Sequence, residues 1–128
     1  RNHAMMLIQF LLDAEIDFAI PAVTEPQSEF ANAASAVQLA LEQEQKVTEQ
    51  FSHLTQLARE ANAYQEEQFL QWFLKEQLEE TSSMSDLLAT VKRAGESNLL
   101  LVEDFLARNP VGDGGDDLAA PNAAGGAL

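Results

Sequence analysis

A chain of 128 residues is long enough to bury one hydrophobic core and does not need a second domain. Its 21 acidic against 7 basic residues give a formal net charge of −14, which disfavours nucleic acid and favours cations or a well-solvated surface. Cysteine is absent, which excludes disulfides, thiolate metal sites and cysteine nucleophiles, and no apolar run approaches the ~20 residues of a membrane span.

The helical pattern is already under way at His3, and Arg1 is not an initiator. The chain is therefore expected to begin inside a helix whose first half lies before Arg1. This first helix runs to about Ala14, with His3, Met6, Leu7 and Phe10 on one face. From Glu15 to Ser28 the chain is polar and broken by Pro21 and Pro26. Its Ile16, Phe18, Ile20 and Val23 predict a semi-extended crossover lying on a surface. A connection of this length lets the flanking helices run parallel.

The spacing next predicts a long helix from about Glu29 to Ala61, with a stripe of Phe30, Ala34, Val37, Leu41, Glu44, Thr48, Phe51, Thr55 and Ala58. Leu39 and Leu57 point away from that stripe. A tight turn at Asn62 and Ala63 leads to a second long helix, about Tyr64 to Ala94, with Gly95 as its stop. On it Phe69, Phe73, Met84, Leu87 and Val91 fall within roughly 60° of one another at about 100° per residue. Gln77 and Glu80 fall inside this stripe, Glu76 sits at its edge and Glu79 on its shoulder. Leu74 and Leu78 lie on the outer side and, with Leu39 and Leu57, point to subunit contacts.

A short last helix opens at Glu96 or Ser97 and ends near Arg108. Its leucines and Phe105 make it apolar on more than one face, so it needs cover either from its own bundle or at a symmetry axis of an assembly. From Asn109 onward Pro110, five glycines and three aspartates form an aperiodic tail, expected to be disordered or loosely attached. The expected organisation is a helical domain over 1–108 and a flexible tail over 109–128. The expected class is all-α: a four-helix bundle with a long crossover and a short additional C-terminal helix.

Metal-capable side chains interrupt three apolar stripes: His3 in the first, Glu44 in the second, Gln77 and Glu80 in the third. Each alone has an ordinary explanation, a hydrogen-bonded core histidine or an ion-paired carboxylate. Together they differ, because the stripes must face one another and none contains a Lys or Arg. Inward carboxylates without bases imply bound cations or shared protons. Oxygen ligands with one imidazole suit Fe(II), Mn(II) or Zn(II). A bundle holding two metals takes a Glu from each of two helices and a Glu-x-x-His pair from each of the other two. Here Glu44 is one bridging candidate, and Gln77-x-x-Glu80 stands where a Glu-x-x-His is expected. Ser82 and Ser83 have no nearby histidine to activate them, and His53 lies on the flank of another helix.

Three segments carry a resemblance to the bacterial non-haem ferritins. They are Arg1-Asn2-His3-Ala4-Met5-Met6, Glu42-Gln43-Glu44-Gln45-Lys46-Val47-Thr48, and the most specific, Gln68-Phe69-Leu70-Gln71-Trp72-Phe73-Leu74-Lys75-Glu76-Gln77-Leu78-Glu79-Glu80. The resemblance covers about Arg1 to Arg108. The tail is similar to that of some actinobacterial ferritins. Relative to that family the chain is expected to lack the first helix and about half of the second.

The resemblance implies a cytoplasmic ferroxidase subunit of a hollow 24-subunit iron-storage shell, a homo-oligomer that binds neither nucleic acid nor membrane. Two Fe(II) bind within the bundle as a di-iron centre, dioxygen oxidises them, and Fe(III) moves to a mineral. His3 would ligate the first iron and Glu44 the second, with Glu80 beside it. Gln77 would hydrogen-bond or weakly ligate near the dioxygen site, and Glu76 and Glu79 would serve a third iron site. Two further ligands, a first-helix Glu and a bridging Glu before Arg1, would have to be supplied from outside these residues. Haem is not expected: its Met ligand in the bacterioferritins falls at Arg1, and those relatives carry a His in the pair that is Gln77 and Glu80 here. Two alternatives stand beside this reading. One is a catalytically incomplete structural subunit that completes its bundle with another polypeptide. The other is a peroxide-consuming mini-ferritin with metal sites between subunits.

Overall fold

A computed structural model describes residues 2–109 and 119–125. Arg1 and most of the expected tail (110–118 and 126–128) lie outside the described residues. The described residues form four α-helices and no strand: α1 Asn2–Asp13, α2 Ala33–Glu60, α3 Tyr64–Ala94 and α4 Leu100–Arg108. The all-α class is as expected. The chain separates into two compact units, one of residues 1–27 with 113–128 and one of residues 28–112.

In the first unit α1 buries Met6 and half-buries His3, Leu7 and Phe10, the face expected of it. Its end is a left-handed cap. Glu15 has φ 53°, its N–H donates to Leu12 O at 3.1 Å, and Ile16 N–H donates to Leu11 O at 3.0 Å. The chain then runs without regular structure, and Ile16, Phe18, Ile20 and Val23 all stand exposed. Of the tail, Ala124 N–H donates to Met5 O at 3.0 Å.

The second unit is an antiparallel hairpin of α2 and α3, with α4 packed on the far end of α3. Helix α2 starts at Ala33, four residues later than expected. The cause is Asn32: its side chain accepts from Ser35 N at 2.8 Å, and Ser35 Oγ accepts from Asn32 N at 3.2 Å. This reciprocal capping box sets the first turn and leaves Phe30 outside the helix and exposed. The 28 residues of α2 span about 42 Å.

At its end Asn62 takes φ 56°, and the N–H groups of Asn62 and Ala63 return to Arg59 O and Ala58 O. This Schellman turn reverses the chain in two residues, which forces α3 to pack antiparallel. Arg59 staples the turn through Nε and Nη2 to Glu67 Oε1 at 2.9 and 2.6 Å.

Both bounds of α3 are as expected. Gly95 ends it with φ 65° and ψ 173°, a region open essentially to glycine alone. A 3₁₀ turn, Glu96–Asn98, then aims α4 back along the hairpin, where Leu87, Val91 and Val102 form a core flanked by Ala34, Val37, Met84 and Phe105. Leu100, Leu101 and Leu106 of α4 stay exposed.

Three hydroxyls on α2 turn back onto its own carbonyls at about 2.8 Å: Thr48 to Glu44, Ser52 to Thr48 and Thr55 to Phe51.

Candidate metal centre

The interior face of the hairpin is built on Phe73, which is 0% exposed. Phe51 of α2 stacks on it at 4.7 Å between ring centroids and 12° between planes. Phe69 and Trp72 meet its ring edge-on at 5.1 and 5.0 Å. This aromatic floor excludes water and strengthens any electrostatic contact next to it.

One turn along α3 from Phe73, the same face presents Gln77, which is 1% exposed. Its Nε2 donates to Glu44 Oε2 at 3.0 Å and to Glu44 backbone O at 3.1 Å, and lies 3.3 Å from Thr48 Oγ1. All three partners are acceptors, since Thr48 spends its own proton on Glu44 O. The nitrogen of the amide must therefore face α2. Glu44 is half-buried and held by a neutral donor. An amide orients a carboxylate without neutralising it, so the negative charge is left for a cation.

The other candidates fall as follows. Glu76 is buried, Glu80 half-buried and Glu79 exposed. Helical spacing placed Glu76 at the edge of the stripe; the buried face is centred on Phe73, on which Phe51 of α2 stacks, and Glu76 closes one flank of it. Leu70 and Leu88, which the stripe left out, are buried on its other flank. His3 stands half-buried on α1, in the other compact unit, with its Nε2 shielded from solvent.

Among the described residues no three His, Asp or Glu side chains converge closely enough to hold a metal ion. Of the expected set, the structure joins Glu44 and Gln77 directly. Thr48 is the member that spacing did not single out as functional. The signal available was a threonine four residues after a stripe glutamate, the separation at which its hydroxyl reaches that residue's carbonyl.

A family profile described as "Ferritin-like domain" matches residues 1–94. The chain belongs to the ferritin-like family. Within it, the chain is 49% identical over all its 128 residues to Ferritin BfrB of Mycolicibacterium smegmatis, and covers 70% of that protein. It is 31% identical over 98 residues to the bacterial non-heme ferritin of Staphylococcus aureus, a match covering 77% of this chain and 59% of that one. An engineered closed form of the Archaeoglobus fulgidus ferritin superposes with a TM-score of 0.77 at 30% identity, over 82% of this chain and 65% of that one. This ferritin-like chain thus spans somewhat under two thirds of the length of that solved ferritin. No helix among the described residues is long and apolar enough to cross a membrane.

Proposed function

We propose that this ferritin-like chain is an iron-storage subunit that oxidises Fe(II) inside its helical bundle. The observation that carries the reading is the Glu44–Gln77 contact, a half-buried carboxylate held by a buried neutral amide. Iron is the substrate. His3 is the proposed donor to a first iron and Glu44 to a second, with Glu80 acting beside Glu44. Gln77 orients Glu44, and Glu76 with Glu79 forms a further station for departing iron. Each Fe(II) gives up one electron, and dioxygen takes the electrons. Hard oxygen donors suit both oxidation states of the metal. The net charge of −14 draws cations inward.

The functional assembly is a homo-oligomeric shell of 24 copies in the cytoplasm, with the working domain in residues 1–108 and an appended tail in 109–128. Support for assembly comes from leucines left exposed on two surfaces: Leu54, Leu57 and Leu78 on the hairpin, and Leu100 and Leu101 on α4. Leu78 is 75% exposed and Leu100 74%, far more than an isolated surface favours.

A second reading is a catalytically incomplete subunit that completes its bundle with another polypeptide. The observation favouring it is that no three acidic or imidazole ligands converge among the described residues. One experiment separates the two. Fe(II) is added in air to the purified protein while ferric absorbance, oxygen uptake and particle mass are followed. Oxidation above buffer by a particle of shell mass is the expected result. An intact shell that oxidises nothing overturns the ferroxidase reading, and a mass near one subunit overturns the shell.

A further inference from the structure

We propose that Thr48 is a positioning residue: it locks the amide plane of Gln77, so that Gln77 restrains one oxygen of Glu44 and turns the other to a divalent cation. The cation step rests on the function proposed above; the Thr48–Gln77 link does not.

Three atoms crowd the nitrogen of Gln77 within 3.3 Å, and the NH₂ group has two protons to share among them. One proton serves Glu44 Oε2. The other is shared between Glu44 O and Thr48 Oγ1. Thr48 itself bonds Glu44 O at 2.8 Å, so its hydroxyl cannot turn to donate to Gln77 and is fixed as an acceptor. Thr48, Glu44 O and Gln77 Nε2 therefore close a small ring joining both helices. Inside that ring the amide cannot swing about its last torsion, an otherwise soft rotation. Because Gln77 is 1% exposed, no water replaces a lost partner. The consequence reaches Glu44. Its Oε2 is engaged, so the carboxylate meets a cation through Oε1, with the geometry set before the cation arrives.

Thr48→Val keeps the shape and removes the hydroxyl. Thr48→Ser keeps the hydroxyl and removes a methyl group. Co(II) serves as an air-stable probe of the site in the full chain, read by its visible absorption. Thr48→Val is expected to weaken Co(II) binding by about 3- to 10-fold, the worth of one hydrogen bond, and to alter the band shape. Thr48→Ser is expected to restore both. A merely structural role predicts the reverse ranking, since valine packs as threonine does.

A second measurement needs no metal. In the apoprotein, Thr48→Val and Gln77→Leu are combined in a double-mutant cycle of melting temperature. Coupling is expected, with the double variant losing less than the two single losses together. Additive losses, or a Thr48→Val protein with the parent's Co(II) affinity and spectrum, overturn the proposal. A parent protein that takes up no Co(II) overturns the cation step and the proposed function together, while the apoprotein cycle still decides whether Thr48 acts through Gln77.

Discussion

Replacing Gln77 by glutamate changes almost no volume and reverses the chemistry of the contact. The NH₂ group that faces Glu44 Oε2 at 3.0 Å becomes an oxygen. Two carboxylates at that distance repel by about 5.5 kcal/mol at an effective dielectric near 20. Keeping one of them protonated at pH 7 costs less, about 3.7 kcal/mol, from an ordinary glutamate pKa of about 4.3 and about 1.36 kcal/mol per pH unit. The variant takes the cheaper course, so Gln77→Glu should lose on the order of 3–4 kcal/mol at neutral pH. For a chain of this size that is a drop of roughly 10–15 °C in melting temperature.

The sign with pH is fixed. The folded pair holds its proton to higher pH than the unfolded chain does. The penalty is therefore fully present above the folded value, shrinks as pH falls, and vanishes below about 4.3. A divalent cation reverses it, because two facing carboxylates bind the ion that one carboxylate and an amide bind more weakly. Melting curves at pH 7.5 and pH 5, with and without Co(II), give all four values. A variant that melts within about 2 °C of the parent at pH 7.5 without metal, or whose deficit does not shrink at pH 5, refutes the facing of residues 44 and 77.

Truncating Phe73→Ala empties the fully buried position under the site and should cost about 3–5 kcal/mol, read as a lower denaturant midpoint. Gly95→Ala meets no neighbour within 4 Å, so its cost is backbone strain alone at φ 65°, about 1–3 kcal/mol in the same assay. Arg59→Ala removes an ion pair whose arginine side chain is 67% exposed. It should cost less than about 1 kcal/mol, and less still in high salt.

What could be read from residue order alone was what one helix decides by itself. Helix α3 has both ends where Tyr64 and Gly95 put them, and the stripe of α2 from Leu41 to Ala58 is the face that turns inward. The start of α2 escaped, because Phe30 continues the apolar phase while the Asn32–Ser35 cap overrides it. The inward direction of Glu44 and Gln77 was legible, since spacing fixes direction on a helix. Their direct contact was not, nor was the part played by Thr48. Both depend on the register between two helices, which the left-handed Asn62 sets and no periodicity encodes. The burial of Glu76 escaped for a related reason: which flank of a stripe is covered depends on where the neighbouring helix lies.

The three hydroxyls folded back onto α2 have a mechanical consequence. A carbonyl shared between an amide and a hydroxyl holds each less firmly, and helices so bonded bend more readily. The shared carbonyls belong to Glu44, Thr48 and Phe51, the stretch that carries Glu44 and ends on the aromatic floor. On α3 Thr90 makes such a bond to Asp86 O, well beyond the site, while the hydroxyl of Thr81, one turn from Gln77, makes none. Around Glu44 and Gln77, the hairpin therefore sets a more pliant stretch of α2 against a stretch of α3 without these bonds at Thr81. Under the proposed function, in which an ion changes its charge and radius at the site, α2 is the member expected to flex and α3 the one to keep the alignment.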